Sequence, residues 1–456
     1  MNITEQFAAN IVSTDFSCFD ATTIERAKMR IADSIGVFIV GANGLGNEKV
    51  RTLLTRWGGA PEATVLVHGS KLPAHNAAFM NSLMIRSYDY EAIESEAEND
   101  KTLPAHITGT TVPTMFSFGE RTGASGKELL TALILGDDLA ARLIAGSGFS
   151  VYDSFDNNGT SNNMAATAVA GKLLGLTNEQ MVGAFGLALN MCGGTMENVF
   201  QAAWTFKQPI ALSARNGIIA AEMAELGLCG VADPIMGERC FFDMFAKAPD
   251  TANLTNELGT RFFSDMVIKP WSSCHGTQYS IDAALEATGG QIFRANEIER
   301  IIIKVSPGAK GFVGHDFEFG TTFQPKGAFS LRFTVATAVL RGDVCPAFFT
   351  KEMMSDPELG IMLEKLDILD SGPKKGAIVE IYLKGGSMLS SQVEEALGHI
   401  TKKPLTHQQI YDKMIRNVEY SNSILLENAK RAFELALDFD KLDTISTIVE
   451  LMVEQK

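Results

Sequence analysis

The sequence predicts a mainly α protein in which a large all-helical domain is joined to a smaller α+β domain. Residues 1–265 carry apolar residues at the three- and four-residue spacing of helices. Two β-branched runs bounded by Gly or Pro, at 298–308 and 376–386, predict strands in the region that follows. Helical spacing then returns near the C-terminus. We therefore assign residues 1–265 and 405–456 to the helical domain and residues 266–404 to the α+β domain.

The helices of the large domain have recognisable start and stop signals. The segment ERAKMRIADSIGVFIVGA (25–42) repeats apolar residues at helical spacing and closes on Gly. The segment 125–146 begins at a Ser cap and ends in Ala-Gly. Thr177 and Gln180 have the spacing of a capping box and predict the start of a further helix. Within the α+β domain, the segment FSLRFTVATAVLRGD (329–343) is typical of a helix.

Composition excludes several classes of protein. The 456 residues carry 54 acidic and 39 basic side chains, a net charge of −15, and show no run of Lys and Arg with interleaved aromatics. A nucleic-acid groove or an anionic membrane surface is therefore not expected as the main partner. The six cysteines are scattered without a C-x-x-C pair, which argues against a disulfide framework or a zinc ribbon.

The sequence predicts a cytoplasmic protein without a membrane span. The first residues, MNITEQFAANIVSTDF, lack the basic region of a signal peptide. The apolar region near 181–196 is broken by Asn190 and by glycines, and it does not read as a transmembrane helix.

Local motifs give weak signals. The Gly-rich stretch GANGLG (41–46) fits neither a dinucleotide-binding nor a P-loop pattern, so we interpret it as the end of a helix. His315, Asp316 and Glu318 lack the paired-His spacing of a metal site, and we predict no bound metal. Cys274 and His275 are adjacent, but neighbouring residues rarely point at each other, so a Cys–His nucleophile is not favoured.

Several segments resemble, in order, the MmgE/PrpD superfamily of 2-methylcitrate dehydratases, cis-aconitate decarboxylases and related epimerases. The segment AAFMNSLMIRSYDYEA is followed by PAHITGTTVPTMFSFGERTGASGKELLTALILGDDLAARL. Further segments of the resemblance are KQPIALSARNGIIAAEMAELGL, IKPWSSCHGTQYSIDAALE, FQPKGAFSLRFTVATAVLRGDV and GHITKKPLTHQQIYDKM. Together they cover nearly the whole chain.

The resemblance implies a fold and a chemistry. The fold would be a large helical domain with a smaller α+β lid, usually a homodimer, without cofactor or metal. The reactions would be elimination of water, loss of CO2 or epimerisation on small di- or tricarboxylates. Each requires proton transfer at a carbon next to a carboxylate, and therefore an acid/base group together with cations that hold the carboxylates.

By the resemblance, His106 is the candidate acid/base, Asp89 its partner or a hydrogen-bonding group for a substrate hydroxyl, and Lys207 a carboxylate clamp. A structural alternative is that His106 caps the helix that starts near Thr108 and has no catalytic role. Four further acids after Asp89 are expected in a solvated loop; they are Glu94, Glu96, Glu98 and Asp100.

Further candidates for substrate binding are Lys269 and Ser273, placed before a helix that we expect to start near Thr277, where anions are attracted. The other candidates are Arg86, Asp156, His275 and Lys326.

The chain also departs from the family pattern. Ala92 and Ile93 replace an Asp and a Thr, and Asp156 stands where decarboxylases and dehydratases have a second His. Gln278 replaces another His and Phe333 a Tyr.

Three hypotheses follow from these features. The first is a cofactor-independent hydro-lyase or decarboxylase of a small carboxylic acid. The second is an epimerase of an amino or imino dicarboxylate. The third is a carboxylate-binding homologue without catalysis.

Overall fold

The computed structural model describes residues 1–247, 249–252 and 254–454. It shows a mainly α protein of two domains, as predicted. None of the helices in these ranges is long and apolar enough to cross a membrane.

The helices before residue 265 form the larger part of the fold. They are α1 (Ile3–Ser13), α2 (Ala21–Gly41), α3 (Asn47–Trp57), α4 (Ala74–Ile85), α5 (Thr108–Thr122), α6 (Gly126–Ser147), α7 (Ser161–Leu173), α8 (Asn178–Leu189), α9 (Glu197–Phe200), α10 (Gln208–Glu225) and α11 (Phe241–Phe245).

The later helices alternate with strands. They are α12 (His275–Thr288), α13 (Pro307–Val313), α14 (Phe323–Ala328), α15 (Leu331–Arg341), α16 (Lys351–Met354), α17 (Pro357–Leu363), α18 (His407–Ser421), α19 (Leu426–Leu437) and α20 (Ser446–Leu451).

The strands are short and fall into three sheets. They are β1 (Ala63–Thr64), β2 (Lys71–Leu72), β3 (Ile93–Ala97), β4 (Lys101–Leu103), β5 (Met266–Val267), β6 (Ile298–Lys304), β7 (Leu366–Leu369), β8 (Ala377–Leu383) and β9 (Met388–Val393).

The centre of the helical region is a close packing of α10 against α7 and α4, with α6 on the other side of α7. Small residues make this possible: a Cβ added at Gly217 of α10 would lie only 2.4 Å from the Cβ of Ala166 in α7. The predicted starts of two helices are present. Ser125 caps α6, and Thr177 and Gln180 form the capping box of α8.

The β-branched runs form the centre of a four-stranded sheet with the order β7-β6-β8-β9. β6 runs parallel to β7 and antiparallel to β8, and Ile301 lies opposite both Leu366 and Ile381. The side chain of Ile301 is fully buried, which fits its place in the apolar run 301–303 of this strand. α12 packs on β8 and β9 and against α15.

The last helices return to the first domain. α18 and α19 pack against α2, and the Lys413 ammonium of α18 lies 2.8 Å from the Asp33 carboxylate of α2 in a buried ion pair. Lys413 also donates to the backbone oxygen of Tyr90. Tyr90 lies near the start of residues 89–100, which we call the acidic segment. These contacts agree with the predicted return of the C-terminus, while the exact domain boundaries stay a prediction.

The region before residue 265 is not all-helical, and the acidic segment is not a solvated loop. β3 and β4 form a hairpin, and β3 also pairs with β5 some 170 residues later (Ile93 opposite Val267). Asn99 and Asp100 at the hairpin tip have φ of 60° and 55°, a left-handed conformation that Asn and Asp tolerate better than most residues. The hairpin directs Glu94 and Glu96 towards partly buried positions, and its tip is exposed.

Candidate active site

A cleft of about 460 Å3 lies between the helical region and the α+β region. From the first it takes the end of α4, strand β3, the segment before α5 and the loop before α7. From the second it takes the start of α12, helix α13 and the end of α14. Its polar lining residues include Arg86, Glu94, His106, Asn157, Asn158 and His275.

His106 occupies this cleft just before α5, which begins at Thr108 as predicted. Its backbone is held on both sides: the amide donates to Oδ1 of Asn158, and the carbonyl accepts from Nδ2 of Asn162, each at 3.0 Å. The ring nitrogen Nδ1 lies 2.7 Å from Oε1 of Glu91. Because a carboxylate can only accept, Nδ1 carries the proton and Nε2 of the neutral ring is left as a base for the cleft.

The partner of His106 is therefore Glu91, whereas we had expected Asp89. Nδ1 of His106 is 3.9 Å from Oδ1 of Asp89, beyond hydrogen-bonding distance. Asp89 instead accepts from Arg86 and, at 2.7 Å, from the ammonium of Lys269. It has a φ of 50°, and such strained non-glycine residues are enriched at functional sites.

Arg86 connects the acidic segment to the cleft. It is the C-cap residue of α4, and its guanidinium lies 3.3 Å from Oε1 of Glu91 and over the ring of Phe206 at 4.9 Å. It also pairs with Asp89, so one buried cation holds two buried carboxylates. Arg86 lines the cleft, and its role in substrate binding stays a prediction.

These contacts set the protonation states of the cluster. Burial disfavours ionisation of Asp89 and Glu91 and is the largest single effect, but the charge of Arg86 together with contributions from Lys269 and His106 outweighs it and lowers the pKa of both carboxyls. Burial, followed by the charge of Arg86, lowers the pKa of His106, and Glu91 partly offsets this. The resting site thus holds two carboxylates and a neutral imidazole near pH 7.

Lys269 and Ser273 lie behind the site and do not line the cleft. The Lys269 ammonium donates to both the backbone and the side chain of Asp89 and to the backbone oxygen of Ser273. The Ser273 hydroxyl accepts from Thr277 and Gln278. These contacts support a role for Lys269 in fixing Asp89, in place of the expected direct clamp.

Lys207 is also turned away from the cleft. Its ammonium donates to the backbone oxygen of Leu45, to Oδ1 of Asn47 and to the Ser87 hydroxyl, at 2.7–3.0 Å. All three acceptors are neutral, and burial lowers the pKa of Lys207 to about 7. The ammonium ties the start of α3 to the chain beside Arg86, so its contacts do not support the expected clamp on a substrate carboxylate.

His275 is the second histidine of the cleft. It is the first residue of α12, which begins two residues earlier than expected, and Nε2 lies 3.4 Å from Oε1 of Glu94. Burial lowers the pKa of His275, and the Glu94 charge partly offsets this. The neighbouring Cys274 is a poor nucleophile because burial raises the pKa of its thiol to about 12.

Asp156 lies beside the site, at the start of the Asn157–Gly159 turn. Oδ1 accepts from the amide of Asn158, while Oδ2 is buried with no hydrogen-bond partner among the described residues. Burial raises the pKa of Asp156 to about 6. Through Asn158, this turn also holds the backbone of His106.

The other positions that depart from the family pattern differ in their distance from the cleft. Ile93 lines it, whereas Gln278 is buried behind Ser273 and Phe333 packs in the core against Phe317 and Phe349. Lys326 faces a separate hollow near His315.

Asp89, Glu91 and His106 are the one described trio whose donor atoms lie within 4.8 Å of one another, as a metal site requires. The trio does not fit a divalent cation. Oδ1 of Asp89 already accepts from two cations, and Nδ1 of His106 is occupied by Glu91. A metal there would be repelled by the buried charges of Arg86 and Lys269.

Sequence reasoning missed Glu91, Glu94 and Asn158. Asp89 and Glu91 are two residues apart, a spacing that places side chains on one side of an extended chain, and this was the available signal for Glu91. Asn158 carries no local pattern, because its role comes from a turn that approaches His106 from a distant part of the chain.

The fold and the cleft thus define a mainly α protein with a histidine–carboxylate pair between two domains. The sequence profile of the MmgE/PrpD N-terminal domain matches residues 5–253, and that of the MmgE/PrpD C-terminal domain matches residues 271–438. The chain belongs to the MmgE/PrpD family, as its motifs had indicated.

Curated relatives of the chain extend over nearly its whole length. The cis-aconitate decarboxylase of Mus musculus is 23% identical, and the alignment covers 99% of this chain and 93% of the mouse protein. The cis-aconitate decarboxylase of Aspergillus terreus is 24% identical over 98% of this chain and 94% of the fungal protein. A cis-aconitate decarboxylase-like protein of Aspergillus oryzae is 24% identical over half of the chain.

Proposed function

We propose that the protein is a lyase that removes CO2, or alternatively water, from a small carboxylic acid, with His106 as the acid/base group. The observation that carries the proposal is the pairing of His106 with Glu91 at 2.7 Å in the wall of the cleft. Full-length similarity to two cis-aconitate decarboxylases favours loss of CO2 over loss of water. The proposal needs no cofactor, because the part of the protein in each step below is to donate or accept a proton.

The chemistry follows from the free nitrogen of His106. In decarboxylation Nε2 first takes a proton from water; the bond to a carboxyl carbon then breaks, CO2 leaves, and the electron pair left on the substrate takes that proton from Nε2–H of the imidazolium. In dehydration Nε2 first removes a proton from carbon, and the imidazolium then gives this proton to the hydroxyl group, which leaves as water. In both cases Glu91 fixes the tautomer and stabilises the imidazolium, as expected for a base oriented by a carboxylate.

The carboxylate of the substrate would lie between Arg86 and the start of α12. Cys274, His275 and Gly276 line the cleft at this helix end, whose first amides have no partners within the helix. A helix N-terminus and a guanidinium both favour an anion. In this proposal the α+β domain, which supplies α12 and α13, is the lid over the site, and the protein is a homodimer.

A second candidate function is epimerisation, and His275 is the observation that favours it. Epimerisation needs one group to remove a proton and another to return it on the opposite face. His275 lines the same cleft as His106, and its proton could be exchanged through Glu94, 3.4 Å away. The two functions predict different products from the same cleft.

Proton NMR in D2O with the full chain tests both. The substrates are cis-aconitate, 2-methylcitrate, citrate, malate, tartrate and iminodisuccinate, and His106→Gln is the control. We expect loss of CO2 with deuterium incorporated at one carbon, abolished in the variant. Exchange at one carbon without net elimination, lost in His275→Gln, would identify an epimerase. Binding without turnover would identify a non-catalytic homologue, and turnover unchanged by His106→Gln would overturn the proposal.

A further inference from the structure

The cleft is lined by two kinds of side chain. Its polar groups include those around His106 and the start of α12. A further set of its lining side chains is apolar; this set, the apolar wall, consists of Phe149, Val151, Met196, Val199, Phe312 and Phe329. A compact tricarboxylate has no part that could pair with such a surface, and its carboxylates would lose hydration against it.

The apolar wall is firmly built. Phe312 of α13 packs edge-on against Phe200 and Tyr152, with ring centroids 5.4 and 6.4 Å apart. Phe329 packs in the same way against Phe206, which lies under the guanidinium of Arg86. The wall is therefore continuous with the support of Arg86.

The charges of the cleft are also poorly matched to a tricarboxylate. Among the lining residues, which the structure describes throughout, the cations are Arg86 and Lys374, and Lys374 is exposed at the rim. Arg86 is already paired with Asp89 and Glu91, and the charge of Asp156 acts on it as well. Glu94 adds a further carboxylate to the lining. Three substrate carboxylates would face little uncompensated positive charge.

We infer that the substrate carries one or two carboxylates together with an alkyl chain, which lies along the apolar wall. The inference deepens the proposed function, because it names the class of carboxylic acid that the same cleft takes. The carboxylate next to the reacting carbon binds between Arg86 and the start of α12. The alkyl chain extends away from His106 towards Phe312, and each methylene that leaves water adds to affinity.

The test measures binding by calorimetry, with His106→Gln as the receptor so that turnover does not interfere. The probes are succinate, methylsuccinate, butylsuccinate, hexylsuccinate and cis-aconitate. Burial of one methylene corresponds to a tightening of about threefold to fourfold. We expect Kd to fall by about that factor per methylene along the series, and hexylsuccinate to bind more tightly than cis-aconitate.

Variants of the apolar wall test whether it binds the alkyl chain. Phe312→Ala in the same background should weaken the binding of hexylsuccinate about tenfold or more and leave the binding of succinate unchanged. Val199→Ala tests the wall independently if Phe312→Ala does not fold. Phe319→Ala is the matched control, because Phe319 is exposed on the segment after α13, stacks on Phe323 and does not line the cleft; it should leave the whole series unchanged.

The outcomes separate this inference from the proposed function. A Kd that does not depend on chain length, or tighter binding of cis-aconitate than of hexylsuccinate, overturns the alkyl substituent even if the wild-type protein turns over cis-aconitate. A clear chain-length series supports the alkyl substituent whether or not the wild-type protein is active, whereas absence of turnover in the NMR test with the wild-type protein counts against the lyase alone.

Discussion

Nδ1 of His106 and Oε1 of Glu91 lie 2.7 Å apart, and this hydrogen bond fixes which nitrogen of the imidazole faces the cleft. Glu91 is fully buried, and Arg86, with contributions from His106 and Lys269, keeps it ionised. The pair is therefore an oriented base whose orienting group is itself held by a buried cation. This arrangement leads to the first prediction.

Glu91→Gln preserves the shape of the side chain but removes its charge. The amide can donate to the ring as well as accept from it, so the tautomer of His106 is no longer fixed. We expect kcat to fall about 10²-fold or more, the lower range for loss of general acid–base assistance, with little change in KM. Steady-state kinetics with the substrate that the NMR panel identifies checks this.

Glu98→Gln is the matched control for this variant, because Glu98 lies in the β3–β4 hairpin that follows Glu91 but lines a different cavity. It should retain the wild-type kcat. Equal losses of kcat in both variants would contradict the assigned role of Glu91 and point to a general disturbance of the hairpin.

The pH dependence of kcat/KM should show a limb below pH 6.5, because burial and Arg86 lower the pKa of His106. If His106 first accepts a proton, activity falls as the pH drops through the pKa of His106. If His106 first donates a proton, activity falls as the pH rises through this pKa. Glu91 raises the pKa of His106, so Glu91→Gln should move the limb to lower pH in either case. A limb that stays in place would exclude His106 as the titrating group.

Sequence reasoning located the start of α5 and the strands at 298–304 and 377–383, because each depends on local signals: a helix start in one case and β-branched runs in the other. His106 itself was selected by the family resemblance. Sequence reasoning did not find the hairpin at residue 93. Glu and Asp are poor strand residues, and β3 is stabilised by pairing with β5 from a distant part of the chain.

Local pattern also did not show where the lysines point. Lys207 and Lys269 are both fully buried, as a functional role would suggest, but each ammonium is directed by acceptors far away in sequence: Leu45 and Asn47 for Lys207, and Asp89 for Lys269. Which oxygens a long side chain reaches is decided by tertiary packing. The spacing of residues carries no information on it.

Lys207 should make the stability of the protein depend on pH. Its pKa is lowered from 10.5 to about 7 in the folded state, so the unfolded chain binds more protons between these values. The free energy of unfolding should therefore rise with pH across this window, by up to about 1.4 kcal/mol per pH unit. Lys207→Met removes this dependence.

Urea unfolding at about pH 7.5 and about pH 9.5 compares the wild-type protein with Lys207→Met and with Lys351→Met, an exposed control. We expect the difference in unfolding free energy between wild type and Lys207→Met to grow with pH, whereas Lys351→Met should follow the wild type. Parallel curves for all three proteins would show that Lys207 is charged throughout.

Asp156 should make the free energy of unfolding fall as the pH rises, which is opposite to the effect of Lys207. Its pKa is raised from 3.8 to about 6 by burial, so the stabilisation that it gives is complete below the unfolded value and is lost as the pH rises through about 6. Asp156→Asn keeps an oxygen for the amide of Asn158 and cannot ionise. We expect the variant to be about 1–3 kcal/mol more stable than wild type at about pH 8, and equally stable near pH 4.

The same variant should affect anion binding, because it removes a negative charge that acts on Arg86. Above about pH 6, where Asp156 is ionised, succinate should bind Asp156→Asn more tightly than wild type, and at about pH 5 the two should bind it alike. Asp153→Asn is the control, since Asp153 is paired with Lys247 at 2.6 Å and does not line the cleft. If Asp156→Asn were less stable at high pH and bound succinate no better, Asp156 would be a structural cap of the Asn157–Gly159 turn without electrostatic influence on the site.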